Sequence, residues 1–216
     1  MTERDRPVSN PESRWHRYKK HIALGAAAVT GAAIGGGAVH LLNHHEKRQL
    51  RREARTDALT GIPNRRGFEE AFADVYYHMN ARGDHRRRGD TEALVLLIAD
   101  VDKLKTINDT YGHDAGDDVI KYVAHALQSS VRETENGDVV GRWAGDEFGI
   151  VLPVEVAEEA EMAAEKVQSR IDELLDDGLT VTVGAFITYR NEPFSPRQIF
   201  DNADDEMYRR KKGRAR

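Results

Sequence analysis

Hydrophobic and polar positions along the chain predict alternating helices and strands. Residues 94–99 (Leu94-Val95-Leu96-Leu97-Ile98-Ala99) form an unbroken apolar run, the pattern of a strand covered on both faces. The run predicts a strand over 93–100. Further strands are predicted at 139–143, 148–152 and 179–188. Helices are predicted at 64–79, 117–131, 157–175 and 196–210. The stretch 156–175 carries apolar side chains at helical spacing, as a helix facing a core requires. Mixed elements without a strict βαβ rhythm imply an α+β fold.

Two of these strands end in carboxylates. Val139-Val140 leads into Arg142-Trp143-Ala144-Gly145-Asp146-Glu147-Phe148-Gly149, and Ile150-Val151-Leu152 leads away. Apolar run, Gly-Asp tip and apolar run predict a β-hairpin with a tight turn. A hairpin requires no acidic pair, yet Asp146 and Glu147 stand together beside Gly145. Such a pair suits a divalent cation, and Gly145 lets a phosphate ester approach the main chain. The buried run 94–99 likewise ends in Asp100-Val101-Asp102. A carboxylate at the end of a buried strand is costly unless paired or bound to metal. Asp100 is therefore a candidate metal ligand, with the Val101 carbonyl beside it. Asp102 is a ligand or a cap for the next segment.

Residues 103–118 are polar and punctuated by glycines. Lys105 supplies positive charge for a phosphate, while Asn108 and Asp117 carry the acceptors and donors that suit the edge of a guanine base. Asp117 also suits the N-terminal cap of the helix at 117–131. His113 is a candidate binding residue, although no second His or Cys stands at ligand spacing.

In order, these segments resemble the GGDEF family, the diguanylate cyclases that condense two GTP molecules into cyclic di-GMP. Asp57-Ala58-Leu59-Thr60-Gly61-Ile62-Pro63-Asn64-Arg65-Arg66 resembles the family's opening segment. Asp100 to Asp109, with Gly112-His113 and Gly116-Asp117, resembles its metal and guanine segment. Ala144-Gly145-Asp146-Glu147-Phe148 stands at the signature loop. Val181-Thr182-Val183-Gly184-Ala185 resembles a later core strand, and Ala203-Asp204, Met207-Tyr208 and Lys211 resemble the closing helix. The resemblance covers residues 57–216. It implies an antiparallel-rich central sheet flanked by helices, like the palm of nucleotide cyclases and polymerases.

Position by position, the resemblance implies a site. Asp100, the Val101 carbonyl, Asp146 and Glu147 would hold two Mg²⁺ or Mn²⁺ ions, with Asp100, Asp146 and Glu147 as the catalytic carboxylates. Lys103, Leu104 and Lys105 would meet the phosphates, partly through backbone N–H groups. Asn108 and Asp117 would recognise guanine, with His113 and Gly145 also lining the substrate. Lys211 and Arg214 would close over the phosphates. Attack of a ribose 3′-oxygen on an α-phosphorus suits a two-metal clamp, with Asp146 as the candidate acceptor of the 3′-hydroxyl proton. Each domain would bring one GTP, so the active species would be a homodimer.

Three positions depart from the family pattern. Ala144 replaces a glycine, and alanine resists positive φ; activity is expected to persist, reduced if at all. The product-inhibition motif, Arg-x-x-Asp, would pair Arg132 with Asp138, but Glu135-Asn136-Gly137 is an apparent insertion between them, so feedback is not expected there. The closing helix is one residue short between Lys211 and Gly213, which bears on Arg214. The alternative function is a GTP- or cyclic-di-GMP-binding regulatory module that has lost catalysis.

Charge and composition supply the setting. The net charge is −5, yet residues 1–55 hold eleven Lys/Arg against five Asp/Glu. That +6 leaves −11 for the remainder. A basic leader before an acidic domain suits a membrane surface, and nucleic-acid binding is disfavoured. No cysteine is present, which excludes disulfides and thiolate chemistry. After a basic tail at 1–21, the 21 residues from Ile22 to Leu42 contain no Asp, Glu, Lys or Arg, long enough for one transmembrane helix. Gly31 and Gly35 would permit close helix packing there. A small-residue linker or a signal peptide is the alternative. The expected topology is a single pass through the inner (cytoplasmic) membrane with the catalytic domain in the cytoplasm. Residues 43–56 would form a charged stalk helix, and 82–90 a basic solvated loop.

Overall fold

The computed structural model describes residues 54–81, 91–132, 137–175 and 178–214. The expected tail, transmembrane helix, basic loop and nearly all of the stalk lie outside them. No helix among the described residues is long and apolar enough to cross a membrane.

The elements, in chain order, are α1 (Arg65–Asn80), β1 (Ala93–Val101), α2 (Leu104–Tyr111), α3 (His113–Ser130), β2 (Val139–Ala144), β3 (Glu147–Val154), α4 (Ala160–Leu174), β4 (Val181–Tyr189) and α5 (Pro196–Arg214). A 3₁₀ turn, Ala157–Glu159, precedes α4. The four strands form one sheet in the order β2-β3-β1-β4, antiparallel at every pairing. This is the α+β architecture expected from the pattern.

Every residue of β1 is buried because the central strand is covered on both faces. Its side chains alternate by pleat. Val95, Leu97, Ala99 and Val101 face a core built with Ile120, Val123 and Leu127 of α3 and Val167 and Ile171 of α4. Leu94, Leu96 and Ile98 face a second core with Phe68 and Phe72 of α1 and Ile199, Ala203 and Met207 of α5. The same alternation carries Asp100 to the α1/α5 side.

Two expectations change. The polar stretch 103–111 contains a helix, α2, which buries only Leu104. At eight residues it is too short for periodicity to mark it. Helix α3 begins at His113, capped at Gly112. Asp117 therefore lies beyond the first turn and does not cap.

Candidate active site

The site assembles where β1 and the β2–β3 hairpin end together. Asp100 and Glu147 are direct cross-strand partners, so their side chains leave the sheet on one face, with Cβ atoms about 5 Å apart. The Val101 N–H donates to the Asp146 carbonyl at 3.1 Å. Carboxylates forty-odd residues apart in the chain are thus joined by sheet register. At the hairpin tip Gly145 has φ +48°, which a side chain at that position would resist. Ala144 is not in the left-handed region. It is a strand residue opposite Glu147. The backbone cost expected from replacing glycine does not arise.

Asp100 is 7% exposed, and burial is the main cause that raises its pKa. The Lys211 ammonium opposes this by donating to Asp100 Oδ1, while Asp146 and Asp102 repel a second negative charge. Lys211 arrives from α5, on the face that the β1 pleat assigned to Asp100. Asp102 takes a different role from either expected one. It accepts from the hydroxyls of Thr180 and Thr182, each at 2.7 Å, and α2 has no side-chain cap.

Among the described residues no three acidic or histidine side chains form a ready cluster for a metal. The donor chemistry nonetheless fits a hard cation: oxygen donors from Asp100, Val101, Asp146 and Glu147, one of them desolvated and already drawing a positive charge. With Lys211 moved aside, these are the residues that would hold it.

Lys103 turns the chain from β1 into α2 with φ 58°, an uncommon conformation for a residue with a side chain. The turn buries Leu104 and leaves Lys103 and Lys105 exposed. The N–H groups of Leu104 and Lys105 precede the first backbone bond of α2, from Thr106 N–H to the Lys103 carbonyl at 2.9 Å, and lie at the helix N-terminal end, which suits phosphate. Leu104 can then contribute only its backbone, because its side chain fills the core.

The α2–α3 packing seats Asn108 against Gly116, one residue before Asp117. Asn108 Oδ1 is buried without a hydrogen-bond partner. It lies against Gly116, where an added Cβ would stand 1.8 Å away. Gly116 therefore admits the Asn108 amide, and the next residue is Asp117. A buried carbonyl left unpaired between two helices awaits a donor. His113 is exposed at the start of α3 and carries no described contact. Arg214 ends α5, and its side chain is outside the described set.

The match to known proteins agrees with this geometry. Residues 54–216 match the family described as "Diguanylate cyclase, GGDEF domain".

The chain belongs to the GGDEF family.

Among curated relatives, the GGDEF domain here is 35% identical over 166 residues to the diguanylate cyclase DgcM of Escherichia coli K12, covering 76% of this chain and 37% of that protein. It is 32% identical over 177 residues to the cyclic di-GMP phosphodiesterase NbdA of Pseudomonas aeruginosa, covering 79% and 21%. The chain thus spans about a third or less of these relatives. Among solved structures, it is similar to the diguanylate cyclase SiaD of Pseudomonas aeruginosa in complex with its activator SiaC, with TM-score 0.60, 27% identity and coverage of 94% and 72%. A microbial GGDEF domain studied with cyclic di-GMP gives TM-score 0.57, 30% identity and coverage of 74% and 94%.

The two residues expected at the product-inhibition motif bond one another in this GGDEF domain. The Arg132 guanidinium donates to Asp138 Oδ1 at 2.8 Å and to the Pro153 carbonyl at 2.9 Å, and the Arg132 N–H also meets Asp138. One arrangement escaped the sequence reading. Arg142 bonds both Gly145 and Asp57; its only sequence signal is a charged residue late in an otherwise apolar strand.

Proposed function

We propose that this GGDEF domain is a diguanylate cyclase, condensing two GTP into cyclic di-GMP and two pyrophosphates across a homodimer. The pairing of Asp100 with Glu147 beside Asp146 carries the reading, because it gathers the acidic groups that phosphoryl transfer to a ribose hydroxyl requires.

Asn108 and Asp117 bind the guanine edge in the α2–α3 cleft. The N-terminal N–H groups of α2, with Lys103 and Lys105, hold the β- and γ-phosphates. Lys211, which now donates to Asp100, would meet the triphosphate and leave Asp100 free to hold a cation. Asp146 accepts the proton of the attacking 3′-hydroxyl. Two Mg²⁺ or Mn²⁺ ions, when bound by Asp100, Val101, Asp146 and Glu147, supply charge to the attacking and leaving oxygens. The half-sites must face one another, since one bound GTP provides one of the two new ester bonds. Residues 22–42 would tether the enzyme to the inner membrane as a single helix, leaving the domain in the cytoplasm with its substrate; resistance to carbonate extraction tests this.

Incubation of purified protein with GTP and Mg²⁺, followed by nucleotide chromatography, tests the activity. Cyclic di-GMP is expected. Its absence from a dimeric, GTP-binding sample would replace the cyclase with a nucleotide-binding regulatory module.

A further inference from the structure

The hairpin that presents Asp146 and Glu147 is tied at both sides to residues outside the sheet. Arg142 lies two residues before Ala144, next to an irregularity in the strand: Arg142 pairs with Phe148 and Ala144 with Glu147. Two steps on β2 match one on β3, so Trp143 is a bulge residue. Its ring packs against Phe200 at 4.2 Å and Phe68 at 6.1 Å between centroids, with the Arg65 guanidinium 4.3 Å above it. Strand alternation puts Arg142 on the opposite face of β2 from the ring.

Arg142 Nε donates to the Gly145 carbonyl at 2.9 Å, and Nη1 donates to Asp57 Oδ1 at 3.1 Å. The side chain is 16% exposed. The Gly145 carbonyl and the Asp146 N–H belong to one rigid peptide plane. Gly145, with positive φ, cannot orient that plane by steric preference alone. Holding the carbonyl fixes the direction in which Asp146 projects its carboxylate.

The other end of the clamp is anchored. Asp57 Oδ1 also accepts the Thr60 N–H at 3.0 Å and its hydroxyl at 2.7 Å. The Asp57 N–H reaches the Ile62 carbonyl, and Asn64 N–H the Arg55 carbonyl, both at 2.8 Å. Asn64 Nδ2 donates to the Ala54 and Thr56 carbonyls, and the Arg142 N–H to Pro63 at 2.8 Å. Residues 54–64 thus form a closed turn seated against the end of β2.

We propose that Arg142, held by Asp57, is a positioning residue for Asp146. The inference rests on the cyclase reading and deepens it. The Asp57 carboxylate holds the guanidinium that in turn holds the carbonyl of the Gly145–Asp146 peptide. Because the guanine and phosphate groups on α2 and α3 are not part of this linkage, turnover responds while GTP binding does not.

The test uses the full chain carrying Arg142→Met, Arg142→Lys, Asp57→Asn, or Arg142→Met with Asp57→Asn. Steady-state kinetics with GTP, melting temperature, and the electron paramagnetic resonance spectrum of bound Mn²⁺ with a non-hydrolysable GTP analogue are measured. A displaced catalytic group costs on the order of 10- to 100-fold, so Arg142→Met is expected to lower kcat by about 30-fold with KM within about threefold. Arg142→Lys, which can still reach Gly145, recovers most of that loss, and the double variant is no slower than Arg142→Met alone. Unchanged kcat with a lowered melting temperature, or losses that multiply in the double variant, would overturn the proposal. If Arg142→Met does not fold, the near-isosteric Asp57→Asn decides it by the same split between kcat and KM. Wild-type protein that binds Mn²⁺ and the analogue but makes no cyclic di-GMP would refute the cyclase reading alone. The clamp then stands if Arg142→Met changes the Mn²⁺ spectrum, and falls if it does not.

Discussion

Asp100 and Glu147 stand opposite one another across the β1–β3 pair. Burial and the nearby charges of Asp146 and Asp102 disfavour the ionised Asp100, and the Lys211 ammonium offsets them. A buried carboxylate so placed weakens the fold locally. Removing the charge at Asp100 should therefore separate stability from activity. Asp100→Asn is expected to raise stability by about 1 kcal/mol, or roughly 3 °C in melting temperature, while abolishing cyclic di-GMP formation. Calorimetry and nucleotide chromatography on one sample check both halves.

Asp146→Asn keeps the size of the side chain and its place in the hairpin turn. Synthesis should fall by at least about a hundredfold, the lower end of the range for loss of a proton acceptor, with a circular dichroism spectrum and melting temperature close to wild type. Full turnover in this variant would refute the role given to Asp146.

The guanine cleft has a narrower test. Gly116→Ala places a methyl group where Asn108 Oδ1 now lies, and one of the two must move. Loss of a buried hydrogen bond to the base is expected to raise KM for GTP by about tenfold. Competition by ATP should become easier, measured as its inhibition constant, whereas kcat should change less than KM.

Asp57 supplies a pH dependence with a defined sign. Burial pushes its pKa up, but hydrogen bonds from Thr60 and Arg142 outweigh burial and hold it below the ordinary 3.8. Its contribution to stability is fully present above that unfolded-state value and is lost as pH falls through the lower folded-state value. Asp57→Asn should therefore flatten the fall in stability below about pH 4, read from urea midpoints across an acid series.

Arg132 and Asp138 predict insensitivity to product. The Arg132 fork is spent on Asp138, whose side chain is 2% exposed, and on Pro153. Added cyclic di-GMP is expected to leave initial rates unchanged. Arg132→Ala should destabilise the domain by about 2 kcal/mol, because a buried carboxylate loses its partner; denaturant titration checks it.

Local chemistry made much of the fold legible in the sequence. The all-apolar β1, the helix at 157–175 and the hairpin around Gly145-Asp146 follow from burial and turn preference over a few residues, and the structure reproduces them within about three residues. Helix α2 was not legible, because its eight residues are too few for periodicity to mark it and its packing partner is α3 rather than the sheet. Asp117 was ambiguous for a related reason. Whether it caps depends on where α3 starts, and the cap at Gly112 settles that.

By itself the sequence determined which groups are available: carboxylates ending two apolar strands, lysines and an asparagine between glycines, and a basic leader before an acidic domain. It could do so because side-chain chemistry and strand or helix preference are local properties. Tertiary structure alone decided their partners. Sheet register set Asp100 against Glu147, helix packing seated Lys211 on Asp100 and the Asn108 amide on Gly116, and the packing of residues 54–64 against β2 set Arg142 between Asp57 and Gly145. Those contacts join residues separated by up to 111 positions, and no local preference specifies which distant atoms meet.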